Sequence, residues 1–309
     1  MVERDSAEIA ELRRHILAAR DDVPRVEASL QLVSALRRAR RFAEALEVAQ
    51  GVPEHAARAG AADGAARLAL LVGELLADLH RDDEAALRLA EARHALDATD
   101  AGSRLIVRCE RLLADVARRR GRYDEAERWL GSARKRYEEA GLPRAAASCE
   151  HDLGTLRHAM GDVPGSIAAL RAARSALLDL RDREGVASCG FNLGVALHDV
   201  GAHDDAVEHY QQARTIFEAV RRSEDAAGCD QNIAAVLFVT GRTEEAGQRL
   251  MVAQAAYRKL GLARRVAECD ADLAQVLRAA GRAEGAMAYL ARARSEGVGD
   301  PADTASASA

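Results

Sequence analysis

The sequence predicts an all-α protein, a right-handed α-solenoid of about seven helix–turn–helix repeats. Three observations lead there. The 309-residue chain is 49% hydrophobic and 30% charged but only 3% aromatic, with 5 Pro. Its apolar content is mostly Ala and Leu, a helix former's alphabet with few breakers. All five cysteines, Cys109, Cys149, Cys189, Cys229 and Cys269, stand on one period of 40, and Gly121, Gly161, Gly201, Gly241 and Gly281 follow them by 12. A fixed period of this size marks a stacked array in which each repeat covers its neighbour's apolar face.

The elements follow in chain order. Residues 1–25 read as an N-terminal capping segment with a helix over 6–20, because a terminal repeat would otherwise expose its face. The superhelix is expected over 26–297, with repeats near 26–65, 66–106, 107–146, 147–186, 187–226, 227–266 and 267–297. Within 187–226, Cys189, Leu193, Gly194 and Leu197 recur at helical spacing, predicting a helix over 187–200 that Gly201 ends. Asp204 and Asp205 then stand where first-turn carboxylates favour a second helix. Its buried stripe is Ala206, Tyr210, Ala213 and Phe217. Longer second helices, and loops such as 181–185, are expected to absorb the long period. Pro53 and the stretch 60–64 mark the loosest linker, and the small, polar tail 298–309 is expected to be disordered.

Leu193-Gly194-x-x-Leu197, followed by Ala206-x-x-x-Tyr210 and Ala213, resembles the tetratricopeptide repeat. The same frame runs through Leu153, Gly154 and Leu170, through Ile233, Ala234 and Leu250, through Leu273, Ala274 and Leu290, and through Leu113, Ala114 and Leu130. Weaker copies contain Val72 and Gly73, and Leu32 and Leu36. The period of 40 exceeds the usual 34, and the closing proline is missing. Repeats of this length are similar to those of kinesin light chains, cell-polarity adaptors and bacterial signalling regulators. The resemblance implies a non-catalytic scaffold that takes a protein or peptide segment in its concave groove. The alternative is a peptide- or ligand-sensing bacterial regulator whose superhelix changes shape on binding. A self-assembling array is a third reading, so homo-oligomerisation stays open.

Other chemistry finds little support. No phosphate-binding loop, zinc-protease helix, nucleophile elbow or dinucleotide fingerprint is present, so no enzyme and no cofactor are expected. Repeat-equivalent cysteines would stand about 10 Å apart, too far for a disulfide or a shared metal ion. A net charge of −5 gives no reason to invoke nucleic acid or a membrane surface. Charges in every turn of residues 1–20, and no apolar stretch near a membrane span, lead to an expected cytoplasmic location. Much Ala and Arg with only two lysines, Lys135 and Lys259, fits a GC-rich bacterial genome.

The resemblance also implies which first-helix positions face the groove. Carried over by position, they place Arg108, Arg111 and Arg118 in its first half, with Arg37, Glu74 and Asp115 among their neighbours. The second half holds His151, His158, Phe191, Val195, His198 and Phe238, and the adjacent position adds Asn192 and Asn232. Two of the chain's four phenylalanines fall there. Exposed aromatics in a concavity anchor peptides, asparagine amides can hold a peptide backbone, and arginines can clamp carboxylates. The lysine-rich carboxylate clamp of some relatives has no counterpart in any three successive repeats, which disfavours a chaperone tail as partner.

Overall fold

The computed structural model describes residues 2–58, 62–97 and 103–295. Among them are fifteen helices and no strand. The first seven are α1 (Val2–Ala18), α2 (Asp22–Arg38), α3 (Phe42–Arg58), α4 (Ala62–Asp78), α5 (Asp82–Asp97), α6 (Ser103–Arg119) and α7 (Tyr123–Glu139). Then come α8 (Pro143–Ala159), α9 (Val163–Asp179), α10 (Arg183–Asp199), α11 (His203–Ala219), α12 (Ser223–Val239), α13 (Thr243–Lys259), α14 (Ala263–Ala279) and α15 (Ala283–Ser295). The chain divides into two compact units, residues 1–149 and 150–309.

The repeat period resolves into two equal halves. Every helix from α8 to α14 has the same length of 17. Their starts, at Pro143, Val163, Arg183, His203, Ser223, Thr243 and Ala263, are evenly spaced at half the period. The extra length therefore enters both helices, and the expected loop at 181–185 shrinks to Leu180–Asp182. Asp182 makes this possible: its carboxylate caps α10 by accepting the Gly185 N–H at 3.0 Å. Pro53 lies inside α3 and Gly64 inside α4, not in a linker. Residues 59–61 between those helices, and the tail 298–309, lie outside the described residues.

From α6 onward each junction turns through one left-handed residue. The glycines at 121, 141, 161, 201, 241, 261 and 281 take positive φ, and Arg181 and Arg221 occupy the same place at φ 55° and 62°. At Gly201 the turn closes by Gly201 N–H to His198 O and Ala202 N–H to Leu197 O, both 2.9 Å. These bonds satisfy carbonyls that the end of α10 would leave unpaired.

Close packing inside each hairpin explains the Gly-or-Ala position of the repeat. A Cβ on Gly194 would lie 2.6 Å from the Tyr210 ring, and one on Gly154 or Gly73 would strike Leu170 or Leu89 equally hard. The glycine in the first helix is the hole into which the large residue of the second helix fits. In unit 2 this packing builds a core of Tyr210, Phe217, Ile233, Leu237 and Leu250, with Phe191, Val195 and Phe238 half-buried against it. In unit 1, Ile9 and Leu12 of α1 pack against Val26 and Leu30 of α2, and Leu89, Leu96 and Leu113 form a second cluster. All five cysteines are buried free thiols. Burial pushes Cys109, Cys189, Cys229 and Cys269 up to about 12, which makes them inert small apolar groups.

Candidate binding pocket

Within each unit, first helices of successive hairpins lie side by side, and polar pairs about one repeat apart in sequence join their shared face. In unit 1 these pairs are ionic. Arg37 of α2 donates to Asp78 at 2.5 Å and to Glu74 of α4 at 2.7 Å. Arg108 of α6 reaches Glu74 from the other side at 2.7 Å, so one buried carboxylate serves two arginines on two helices. Burial outweighs both cations and raises the Glu74 pKa. Arg118 donates to Asp115 at 2.7 Å, and Arg119 spans Asp115 and Asp82. Arg111 is exposed on the same helix. A cavity of about 280 Å³ in this unit is lined by Arg38, Arg67 and Arg108, which pair with Glu8, Glu27 and Glu74.

In unit 2 the pairs on the same face use amide, hydroxyl, imidazole and carboxylate in place of guanidinium. His151 Nε2 and Thr155 Oγ1 lie 2.8 and 3.3 Å from the Asn192 amide, and His158 Nε2 lies 2.7 Å from Asp199. His198 is half-buried, its ring 5.4 Å from that of His203. The Asn232 amide donates back to Gly228 O at 3.0 Å. Phe191 meets Tyr210 edge-on, with centroids 5.7 Å apart.

Phe191, Asn232 and Phe238 converge on one cavity of about 350 Å³, whose wall also includes Gln231, Tyr257, Asp272 and Val276. Gly228 keeps it open. A Cβ there would stand 3.6 Å from the Tyr257 hydroxyl and 3.8 Å from Phe191, so any longer side chain would enter the space between the two rings. Val195 packs against the core, and Val239 lies on the cavity rim, 63% exposed.

A polar relay crosses the wall. The Tyr257 hydroxyl donates to Gln231 Oε1 at 3.4 Å, and Gln231 Nε2 donates to Asp272 Oδ2 at 2.9 Å. Asp272 thus receives an amide hydrogen where the unit 1 carboxylates receive guanidinium. Burial raises its pKa, the Gln231 hydrogen bond opposes that, and nearby Glu268 adds to it. Arg265, also in the wall, is paired with Glu268 at 3.0 Å and lies 6.0 Å from the Tyr257 ring centre. The cavity therefore combines three aromatic rings with a carboxylate that lacks a full countercharge.

Sequence reasoning reaches Phe191, Asn232 and Phe238 but not Gly228, Tyr257 or Asp272. Tyr257 has a signal, since it stands one full period after the core residue Phe217. Among the described residues, no group of three or more His, Cys, Asp or Glu is placed to hold a metal ion, and no helix is long and apolar enough to cross a membrane.

Paired helices of equal length, stacked face to face, define a helical-repeat protein. Residues 112–140 and 146–219 match tetratricopeptide-repeat family models. Over those residues the chain carries tetratricopeptide repeats. No curated protein matches it in sequence. Among solved structures it is similar to the apo form of RapI (TM-score 0.69, 12% identity, covering 88% of this chain and 97% of that one). It is also similar to a Rap protein complexed with competence and sporulation factor (0.62, 12%, 96% and 98%). A third likeness is to a signal-transduction ATPase with a tetratricopeptide-repeat sensor from Pyrococcus horikoshii (0.71, 11%, 87% of this chain and 41% of that one).

Proposed function

We propose that the protein is a non-catalytic scaffold whose unit 2 cavity takes a segment of a protein or peptide partner. In this reading residues 26–297 form the repeat array and residues 1–25 cap it. The observation that carries the proposal is the cavity between Phe191, Phe238 and Tyr257, held open by Gly228 and carrying Asp272 in its wall. A mid-helix glycine costs about 0.5–1 kcal/mol against alanine, and a half-buried carboxylate without a cation is also a cost. Both make sense where the missing group arrives with a ligand. The complementary segment places an apolar or aromatic side chain between the rings and a basic group at Asp272. Arg37, Arg108 and Arg119 of unit 1 act as structural ties between repeats, because Glu74, Asp78 and Asp82 already hold them.

A second reading has its own support. The Rap structure that resembles this chain over 96% of its length holds a bound factor, and the Pyrococcus neighbour carries its repeats as a sensor. A peptide-responsive regulator uses the same cavity and differs in its output. Selection from a displayed random-peptide library distinguishes cavity binding from its absence. The expected result is enrichment of sequences pairing a basic residue with an aromatic or large aliphatic one. Their affinity should fall at least tenfold in Phe191→Ala, Phe238→Ala and Asp272→Asn. Enriched peptides indifferent to all three substitutions would refute the site. Small-angle scattering with the bound peptide tests the regulator: an unchanged radius of gyration at saturation counts against it.

A further inference from the structure

The residue after each repeat cysteine is acidic at Glu110, Glu150, Asp230 and Asp270 and is glycine at Gly190. Where the structure shows the contacts of the acid, it is a buried tie between second helices. Asp230 accepts from Arg214 of α11, 16 residues earlier, at 2.8 Å, and from Arg249 of α13, 19 residues later, at 2.9 Å. Asp270 accepts from Gln254 of α13, 16 earlier, and from Arg292 of α15, 22 later, at 3.1 Å. Glu110 in unit 1 is held by Arg93, Ser132 and Arg136. These carboxylates are almost inaccessible, at 0% exposure for Glu110 and 3% for Asp230 and Asp270.

At Gly190 the donors are present and the acid is not. The same offsets, 16 before and 19 and 22 after, give Arg174 of α9 and His209 and Gln212 of α11. Arg174 donates to the Gln212 amide oxygen at 2.9 Å, where its counterpart Arg214 donates to a carboxylate. The His209 Nδ1 is buried with no hydrogen-bond partner. Burial and the Arg174 charge hold its pKa below the ordinary histidine value; Arg171 of α9 acts the same way, and Glu208 and Asp205 of α11 oppose it. Neither sterics nor backbone demands the glycine. A Cβ at 190 would meet nothing closer than 3.7 Å, and Gly190 is not among the positive-φ residues.

We infer that Gly190, Arg174 and His209 form an anion seat in unit 2, a gap in the series of buried acids that takes a carboxylate supplied by another molecule. Acetate reproduces the missing aspartate side chain and is the probe for a free acid. Acetyl-Gly-Asp-Gly-amide is the probe for an acidic side chain carried on a peptide. The seat is built from α9, α10 and α11 and does not depend on the cavity at Gly228.

The test is an NMR titration of the His209 imidazole in the full chain, with chloride at matched ionic strength as the control. Acetate, the peptide or both should raise the His209 pKa saturably, and the stronger probe identifies the source. Arg174→Gln should abolish the response. Gly190→Asp should show the raised pKa without any probe, lose the response and melt at a higher temperature. No shift with either probe in the wild type overturns the seat, whether or not the variants fold. A response that persists in Gly190→Asp also overturns it, by showing that the anion binds elsewhere.

Discussion

The two units solve one packing problem with different chemistry. Both line up first helices and join them by polar pairs about one repeat apart in sequence. Unit 1 does so with guanidinium and carboxylate, centred on Glu74 between Arg37 and Arg108. Unit 2 does so with amide, hydroxyl and imidazole, through Asn192 and Gln231. The ionic face is electrically satisfied within itself. The unit 2 face leaves the half-buried Asp272 facing an aromatic cavity. The repeat thus fixes where polar residues stand, and their chemistry decides whether the face ties the array together or stays available to a ligand.

That contrast can be broken in several ways, and the largest expected effect lies in unit 1. Glu74→Ala strips two arginines of a buried partner and should cost about 2 kcal/mol, the partial exposure of both guanidiniums reducing the full penalty of a broken buried pair. Asn192→Ala, at a matching neutral position, should cost no more than about 1 kcal/mol. Denaturant unfolding of the two variants measures both, and equal losses would erase the distinction between the faces.

A smaller effect of opposite sign is expected at the cavity. The folded pKa of Asp272 is raised by burial, so the native state holds its proton more tightly than the unfolded chain does. Stability is therefore lost as pH rises from the ordinary carboxylate value through the raised one. Asp272→Asn should raise the melting temperature at pH 7, with the gain disappearing toward pH 3.8. A lower melting temperature at pH 7 would mean that Asp272 is a structural tie like Glu74.

The register that makes these comparisons possible was legible in the sequence. Five cysteines and five glycines on one spacing set the repeat register, and the resemblance to the tetratricopeptide repeat then implies that Phe191, Phe238 and Asn232 share a face. The equal helices were not legible, because the capping role of Asp182 shows only when its carboxylate meets the Gly185 amide. Nor was the fate of the arginines. Glu74 reaches Arg37 and Arg108 across 37 and 34 residues, and a one-dimensional reading of clustered charge does not contain that pairing. Gly228 escaped because its contribution is empty space, visible only once Phe191 and Tyr257 flank it.

The junctions supply the smallest effect. Arg181 and Arg221 take a left-handed conformation that seven glycines occupy elsewhere. Arg221→Gly should stabilise by about 0.5–1 kcal/mol, read as a higher melting temperature, since removing the Cβ relieves backbone strain. The same change at both junctions should add, because a full repeat separates them.

The central claim, that unit 2 carries a working cavity maintained by a glycine, is tested most directly by titrating a library-selected peptide against Gly228→Ala and Gly228→Leu. The methyl group fits at ordinary contact distance and should leave affinity within about threefold while raising helix stability. The leucine fills the space between Phe191 and Tyr257 and should cut affinity more than tenfold with the fold retained. Binding to Gly228→Leu as tight as to the wild type, in a protein of unchanged helicity, would contradict the account.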